Sequence, residues 1–152
     1  MTVATPAVTQ DAHILENQVD ENVGRKPFLI VGGVAAQNRR AFLFAPRKFP
    51  LGSTIVDGKL RLYTRDIWSG GPITVTARLI TSRWREEGAT AVTWADQPNV
   101  SSQTATANVA NNAPADTLVE IDVTALLQLV SDGTAYHGFR LSIATATSHR
   151  FH

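Results

Sequence analysis

A chain of 152 residues, 43% hydrophobic and 18% charged, has the length for one domain with its own core, and nothing in it calls for a second. Its 14 Lys and Arg against 13 Asp and Glu leave a formal charge of +1, which gives no global field for a phosphate backbone or an anionic membrane and disfavours nucleic acid as a partner. Cys is absent, excluding disulfide frameworks and thiolate metal sites, and no apolar run approaches membrane-spanning length, so membrane insertion is not expected.

Residues 1–10, rich in Thr and Ala with Pro6, carry no periodicity and read as an extended arm, with neither the basic nor the apolar region of a secretory signal. Residues 11–15 form a candidate first strand. A polar stretch over 17–25 reads as a loop, and residues 28–31, FLIV, as a short buried strand that Gly32 and Gly33 end in a turn. Residues 39–44, RRAFLF, alternate so that Phe42 and Phe44 share a face, the pattern of a core strand.

Pro46, Pro50 and Gly52 mark the next connection. In the stretch 55–63 Leu60 and Leu62 face inward while Lys59, Arg61 and Tyr63 face the other way, with Asp57 and Gly58 at a bulge or kink. A loop over 68–72 leads into the clearest strand of the chain, where Ile73, Val75, Ala77 and Leu79 oppose Thr74, Thr76 and Arg78. The two strands are therefore expected to form an antiparallel hairpin. Trp84 and Trp94 then lie on either side of a charged, Gly-containing loop.

Residues 99–116, mostly Ser, Thr, Ala and Asn, suit a surface strand and a long loop. Alternation returns at 117–123 with Val119, Ile121 and Val123 opposed to Glu120 and Asp122. Thr124 is placed to cap a short helix over 125–130, closed by Ser131, Asp132 and Gly133. Residues 138–143, with Phe139 and Leu141, are the last clear strand. Seven or eight short strands and one brief helix predict an all-β, antiparallel sandwich.

Catalytic chemistry is not suggested. Glu86 and Glu87 are adjacent and would point apart on a strand, and no nucleophile stands with a base, so no catalytic residue is named and no enzyme is expected. His13, His137, His149 and His152 lack paired metal-binding spacing. Calcium through Asp11, Asp20 and Glu21 is conceivable, yet no oxygen-rich loop of known pattern surrounds them, so no cofactor is expected. Aromatic residues on a sandwich face can form a sugar platform. Trp68, in a Ser-Gly-Gly-Pro loop, is the candidate exposed contact, extended by Tyr63, Arg61 and Lys59. Trp84, Trp94, Phe42, Phe44, Leu60, Leu62, Ile121, Phe139 and Leu141 are expected to form the structural core.

Several stretches, taken in order, resemble the DNRLRE-type domains, jelly-roll-like sandwich modules related to carbohydrate-binding modules. They are Asp11 with Ala12, the RAFLF run at 40–44, GKLRLY at 58–63, SRW at 82–84, and TWADQP at 93–98. EIDVT at 120–124 with the helix after it, and YHGFRL at 136–141, complete the pattern. The resemblance spans residues 11–152 and implies that the two Trp are scaffold. Members usually continue to a further closing strand, so an arm over 1–10 and a sandwich over 11–152 lacking that strand are expected.

Such domains occur in tailed-phage virions, chiefly as minor tail proteins, and in secreted bacterial proteins that bind polysaccharide. The favoured expectation is a non-enzymatic virion structural protein, assembled in the host cytoplasm. It would be homo-oligomeric or docked on other virion subunits, and its partners would include a cell-surface glycan. The alternative is a carbohydrate-binding module of a secreted bacterial protein, working outside the cell.

Overall fold

Period-two alternation of branched apolar with polar residues shapes most of the strands, because one side of each must face the core and the other water. A computed structural model describes residues 6–18, 20, 29–34, 37–66, 72–88, 90–143 and 148–151. Its strands are β1 (Gln10–Leu15), β2 (Leu29–Val34), β3 (Gln37–Phe44), β4 (Lys59–Tyr63), β5 (Ile73–Leu79), β6 (Ala105–Val109), β7 (Leu118–Asp122), β8 (Phe139–Ile143) and β9 (Ser148–Phe151), with one helix, α1 (Thr124–Ser131). They form an all-β antiparallel sandwich. One sheet runs β6-β5-β8-β3-β2-β9 with β1 also paired to β3, and the other is the pair β4-β7.

The main core lies between the sheets. Leu29, Val31, Ala41, Leu43, Val75, Ala77, Leu79, Phe139, Leu141 and Phe151 of the large sheet meet Leu62, Val119 and Ile121 of the small one, with Leu126 and Val130 of α1 in the same cluster. A second cluster sits on the outer side of the large sheet, where Ala12, Ile14, Phe42, Ile80 and Val92 are covered by half-buried Trp84, Trp94 and Val100. Strand β3 is thus buried on both faces, Ala41 and Leu43 inward and Phe42 outward. Trp84 packs 5.7 Å from Phe42, ring to ring, and its Nε1 donates to the His137 carbonyl at 2.7 Å. Phe44 is half-buried against Tyr136, whose hydroxyl donates to the Ala45 carbonyl and whose pKa burial pushes up to about 12. Leu60 is partly buried against the main core.

Four expectations are corrected. The strands over 59–63 and 73–79 do not make a hairpin: β4 pairs with β7, while β5 pairs with β6 and β8 in the other sheet. Alternation tells which face of a strand is wet, not which strand lies beside it. The register of β4 on β7 sets Leu60 and Leu62 opposite Ile121 and Val119 on the core side, and Lys59 and Arg61 opposite Asp122 and Glu120 on the other. Gly32 and Gly33 form no turn but lie within β2, where Gly32, at φ 100, pairs with both Arg39 and Ser148. That left-handed backbone is one in which a side chain would be strained.

The Thr124 hydroxyl does not cap the helix. It accepts from the Gly58 N–H at 2.9 Å, while Asp122 Oδ1 accepts from the Thr124 N–H at 3.0 Å. Finally, the strand over 139–143 is not the last. β9 follows, with Phe151 fully buried and bridged to Thr64, joining the two sheets. A strand of four residues is too short for a period-two signal.

Two close approaches hold the end of the sandwich together. At Gly138, φ 106, an added Cβ would lie 2.0 Å from the Leu43 carbonyl oxygen, so β3 and β8 meet where only hydrogen fits. The connection over 45–58 is strapped to α1: the Gly52 N–H donates to the Ser131 carbonyl, and the Ser131 hydroxyl and Gln128 Nε2 donate to the Ser53 carbonyl.

Candidate functional site

Three of the four sequence-derived contact residues stand on the outer face of the small sheet. Lys59, Arg61 and Tyr63 alternate outward along β4, in register with Asp122, Glu120 and Leu118 of β7. Lys59 Nζ lies 2.7 Å from Asp122 Oδ2 and 3.1 Å from Asp57 Oδ1, and Arg61 Nε lies 2.6 Å from Glu120 Oε2. The hydrogen bond from Lys59 holds the Asp122 carboxyl well below the usual carboxylate range, and the reciprocal bond raises the Lys59 ammonium. Tyr63 and Leu118 end the ladder as an exposed pair, 43% and 44% accessible. Trp68, the fourth residue, lies outside the described residues. Each Lys or Arg on this face already has a carboxylate.

The outer face of the large sheet is different. Inward positions of β3, β5 and β8 are apolar, which sends Arg40, Arg78 and Arg140 to the other side, all of them half-buried. Arg78 is directly opposite Arg140 across the β5-β8 ladder, and Arg140 is directly opposite Phe42 across β8-β3. Burial first, and then the charges of Arg40 and Arg78, push the Arg140 guanidinium down to about 10. Its Nε is buried with no hydrogen-bond partner among the described residues. Arg78 Nη1 donates to the Ser101 carbonyl at 3.2 Å. Arg40 lies 4.6 Å over the Trp94 ring and donates through Nη1 to Gln97 Oε1. Its pKa is lowered by burial, with the Glu16 charge opposing.

None of the three arginines forms an ion pair among the described residues. Glu16, the acid that Arg40 senses, is committed elsewhere: its Oε2 accepts from the Asn38 N–H at 2.9 Å and from Asn38 Nδ2 at 2.8 Å. Beside the arginines the same face continues as a polar shelf. Thr76 pairs with Thr106 and Ser142, and Thr74 with Asn108, the Thr74 hydroxyl donating to Asn108 Oδ1 at 2.9 Å. Guanidiniums at one end and hydroxyl and amide groups at the other can together engage acidic groups and sugar hydroxyls.

These arginines were not singled out from sequence. The signal was present: Arg78 and Arg140 are each flanked by apolar residues in TVTARL and GFRLSI, and Arg40 opens the apolar run RAFLF. What was missing was strand adjacency, since the expected hairpin put β5 beside β4 rather than β8. Among the described residues, no group of three or more His, Cys, Asp or Glu is placed to hold a metal ion. Of the residues considered for calcium, Glu21 lies outside the described residues. No described helix is long and apolar enough to cross a membrane.

An antiparallel sandwich whose large sheet carries half-buried guanidiniums with no ion pair among the described residues, beside a polar shelf, has the form of a binding domain. Residues 2–152 match the model of carbohydrate-binding module family 96, and the chain belongs to that family. This bears out the kinship with carbohydrate-binding modules noted from the motifs, without extending to the DNRLRE-type label itself. The family is one of non-catalytic binding modules. No curated protein matches the chain.

Proposed function

We propose that this domain is a non-enzymatic module that binds an acidic polysaccharide on the outer face of its large sheet. Arg40, Arg78 and Arg140 would pair with its carboxylate or sulfate groups, and the Thr and Asn shelf would receive its hydroxyls. The observation that carries the reading is Arg140, a half-buried guanidinium opposite Arg78 with no ion pair among the described residues. Like charges held together and partly desolvated cost stability, and an anionic ligand relieves that cost. Guanidinium forks also match carboxylate and sulfate oxygens in pairs, which an ammonium does not.

Affinity electrophoresis of the full chain through gels containing polygalacturonate, dextran sulfate or neutral dextran tests this. Retardation by either acidic polymer, weakening as salt rises, is the expected result, and the two polymers separate carboxylate from sulfate recognition. Equal mobility in all three gels contradicts it.

A second reading rests on the exposed Tyr63 and Leu118 pair, which with Trp68, Arg61 and Lys59 would form a platform for neutral sugar rings. Retardation by neutral dextran that disappears in Tyr63→Ala would favour it. The setting we favour is a tailed-phage virion, the domain being a minor tail or other surface-attached component, assembled in the host cytoplasm with other virion subunits or further copies of itself. The motif resemblance supports this setting, and attachment of a secreted bacterial protein to polysaccharide is the alternative. Mass spectrometry of purified particles against cell-free secreted protein separates the two.

A further inference from the structure

Among the described residues, the carboxylates around the three arginines are held elsewhere or stand unpaired. Glu16, the acid nearest in effect to Arg40, is held by two donors of Asn38. Asp96 is exposed and makes no ion pair among the described residues, while its N–H is fixed on the Thr93 hydroxyl at 3.1 Å. The residue that does touch Arg40 is Gln97, a neutral isostere of glutamate. Its orientation is set by chemistry: Oε1 must face Arg40, which has only donors, and Nε2 donates to the Trp94 carbonyl at 2.9 Å. One side chain therefore joins the guanidinium to the turn that carries the ring beneath it, without adding charge.

We infer that Gln97 is the specificity-determining residue of this face: its amide positions Arg40 over Trp94 while leaving the arginine charge available to an acidic ligand. This rests on the acidic-polysaccharide reading above. A glutamate at 97 would keep the contact to Arg40 but neutralise it, turning a ligand site into an internal salt bridge. It would also leave the Trp94 carbonyl without its amide donor, a loss the new charge-assisted bond offsets.

The test is an isothermal titration of polygalacturonate into the parent chain and into Gln97→Glu, Gln97→Met and Arg140→Ser, with the thermal midpoint of each. Gln97→Glu is expected to weaken binding at least tenfold while its thermal midpoint stays level or rises. Gln97→Met, which keeps the bulk and neutrality but loses the clamp, is expected to weaken binding by only about threefold, with a lower midpoint. A purely structural residue would give the opposite order, with the larger binding loss in the less stable variant.

Binding by Gln97→Glu within twofold of the parent, alongside loss in Arg140→Ser, would overturn the role of Gln97 and leave the acidic-ligand reading standing. A parent chain that binds neither polygalacturonate nor dextran sulfate would overturn that reading, and this inference with it.

Discussion

The two outer faces of this sandwich carry similar residues and use them differently. On β4 and β7 each cation is opposite a carboxylate, Lys59 with Asp122 and Arg61 with Glu120, so the charges are matched within the sheet. On β3, β5 and β8, Arg140 is opposite Arg78 and Phe42, and Arg40 is opposite Ile14 and lies over Trp94, while the inner faces of both sheets are apolar. Charge that builds a sheet is matched within it. Charge with no ion pair among the described residues on a half-buried face is what the acidic ligand proposed above would answer.

The largest effect expected is on the frame that sets the arginines side by side. Gly138→Ala would force a methyl into the Leu43 carbonyl at a left-handed backbone position, separating β3 from β8. A loss of about 3 kcal/mol or more is expected by denaturant unfolding, against little change for Gly133→Ala beyond the cost of its φ, since nothing lies within 4 Å of a Cβ there. Next in size is a charge comparison between the faces. Arg78→Ser with Arg140→Ser should remove most acidic-polysaccharide binding, on the scale of 2 kcal/mol or more for buried charge pairs, whereas Arg61→Gln should leave it nearly intact.

A smaller effect sharpens the contrast through stability alone. Arg140→Gln removes a repelled, half-buried charge and should stabilise the unliganded domain by about 0.5 kcal/mol after solvent screening is allowed for. Arg61→Gln on the matched face should destabilise by no more than a similar amount. Thermal unfolding at low salt reads both signs.

The smallest effect is in pH dependence. Burial raises the Asp11 carboxyl from 3.8, so the native state holds its proton more tightly than the unfolded chain. That penalty is absent well below 3.8 and fully present above the raised native value. Asp11→Asn should therefore stabilise the protein at neutral pH and have no effect in acid. Asp122 has the opposite sign: its depressed pKa contributes stability above 3.8 that is lost as pH falls toward the native value, so Asp122→Asn should destabilise at neutral pH and less in acid.

Much of the architecture was legible in the sequence because half-buried strands write their wet and dry faces into the residue order. β5 and β7, and the short helix after β7, show this most directly. Two features were not legible for related reasons. The β4-β7 partnership sets Lys59 and Arg61 beside acids some sixty residues away, which alternation does not reveal. The arginine face depended on bringing β8 between β3 and β5, a topological fact no local pattern contains. The sequence-derived platform of Trp68, Tyr63, Arg61 and Lys59 drew on aromatic character and outward position, which do not reveal that Lys59 and Arg61 stand beside carboxylates.

The most direct test of the central claim is a titration of polygalacturonate against the full chain across a series of salt concentrations, run in parallel with Arg78→Ser/Arg140→Ser and Lys59→Gln/Arg61→Gln. The account predicts salt-weakened binding that the first pair of substitutions abolishes and the second leaves nearly unchanged. Binding that survives loss of Arg78 and Arg140 but fails with Lys59 and Arg61 would contradict it.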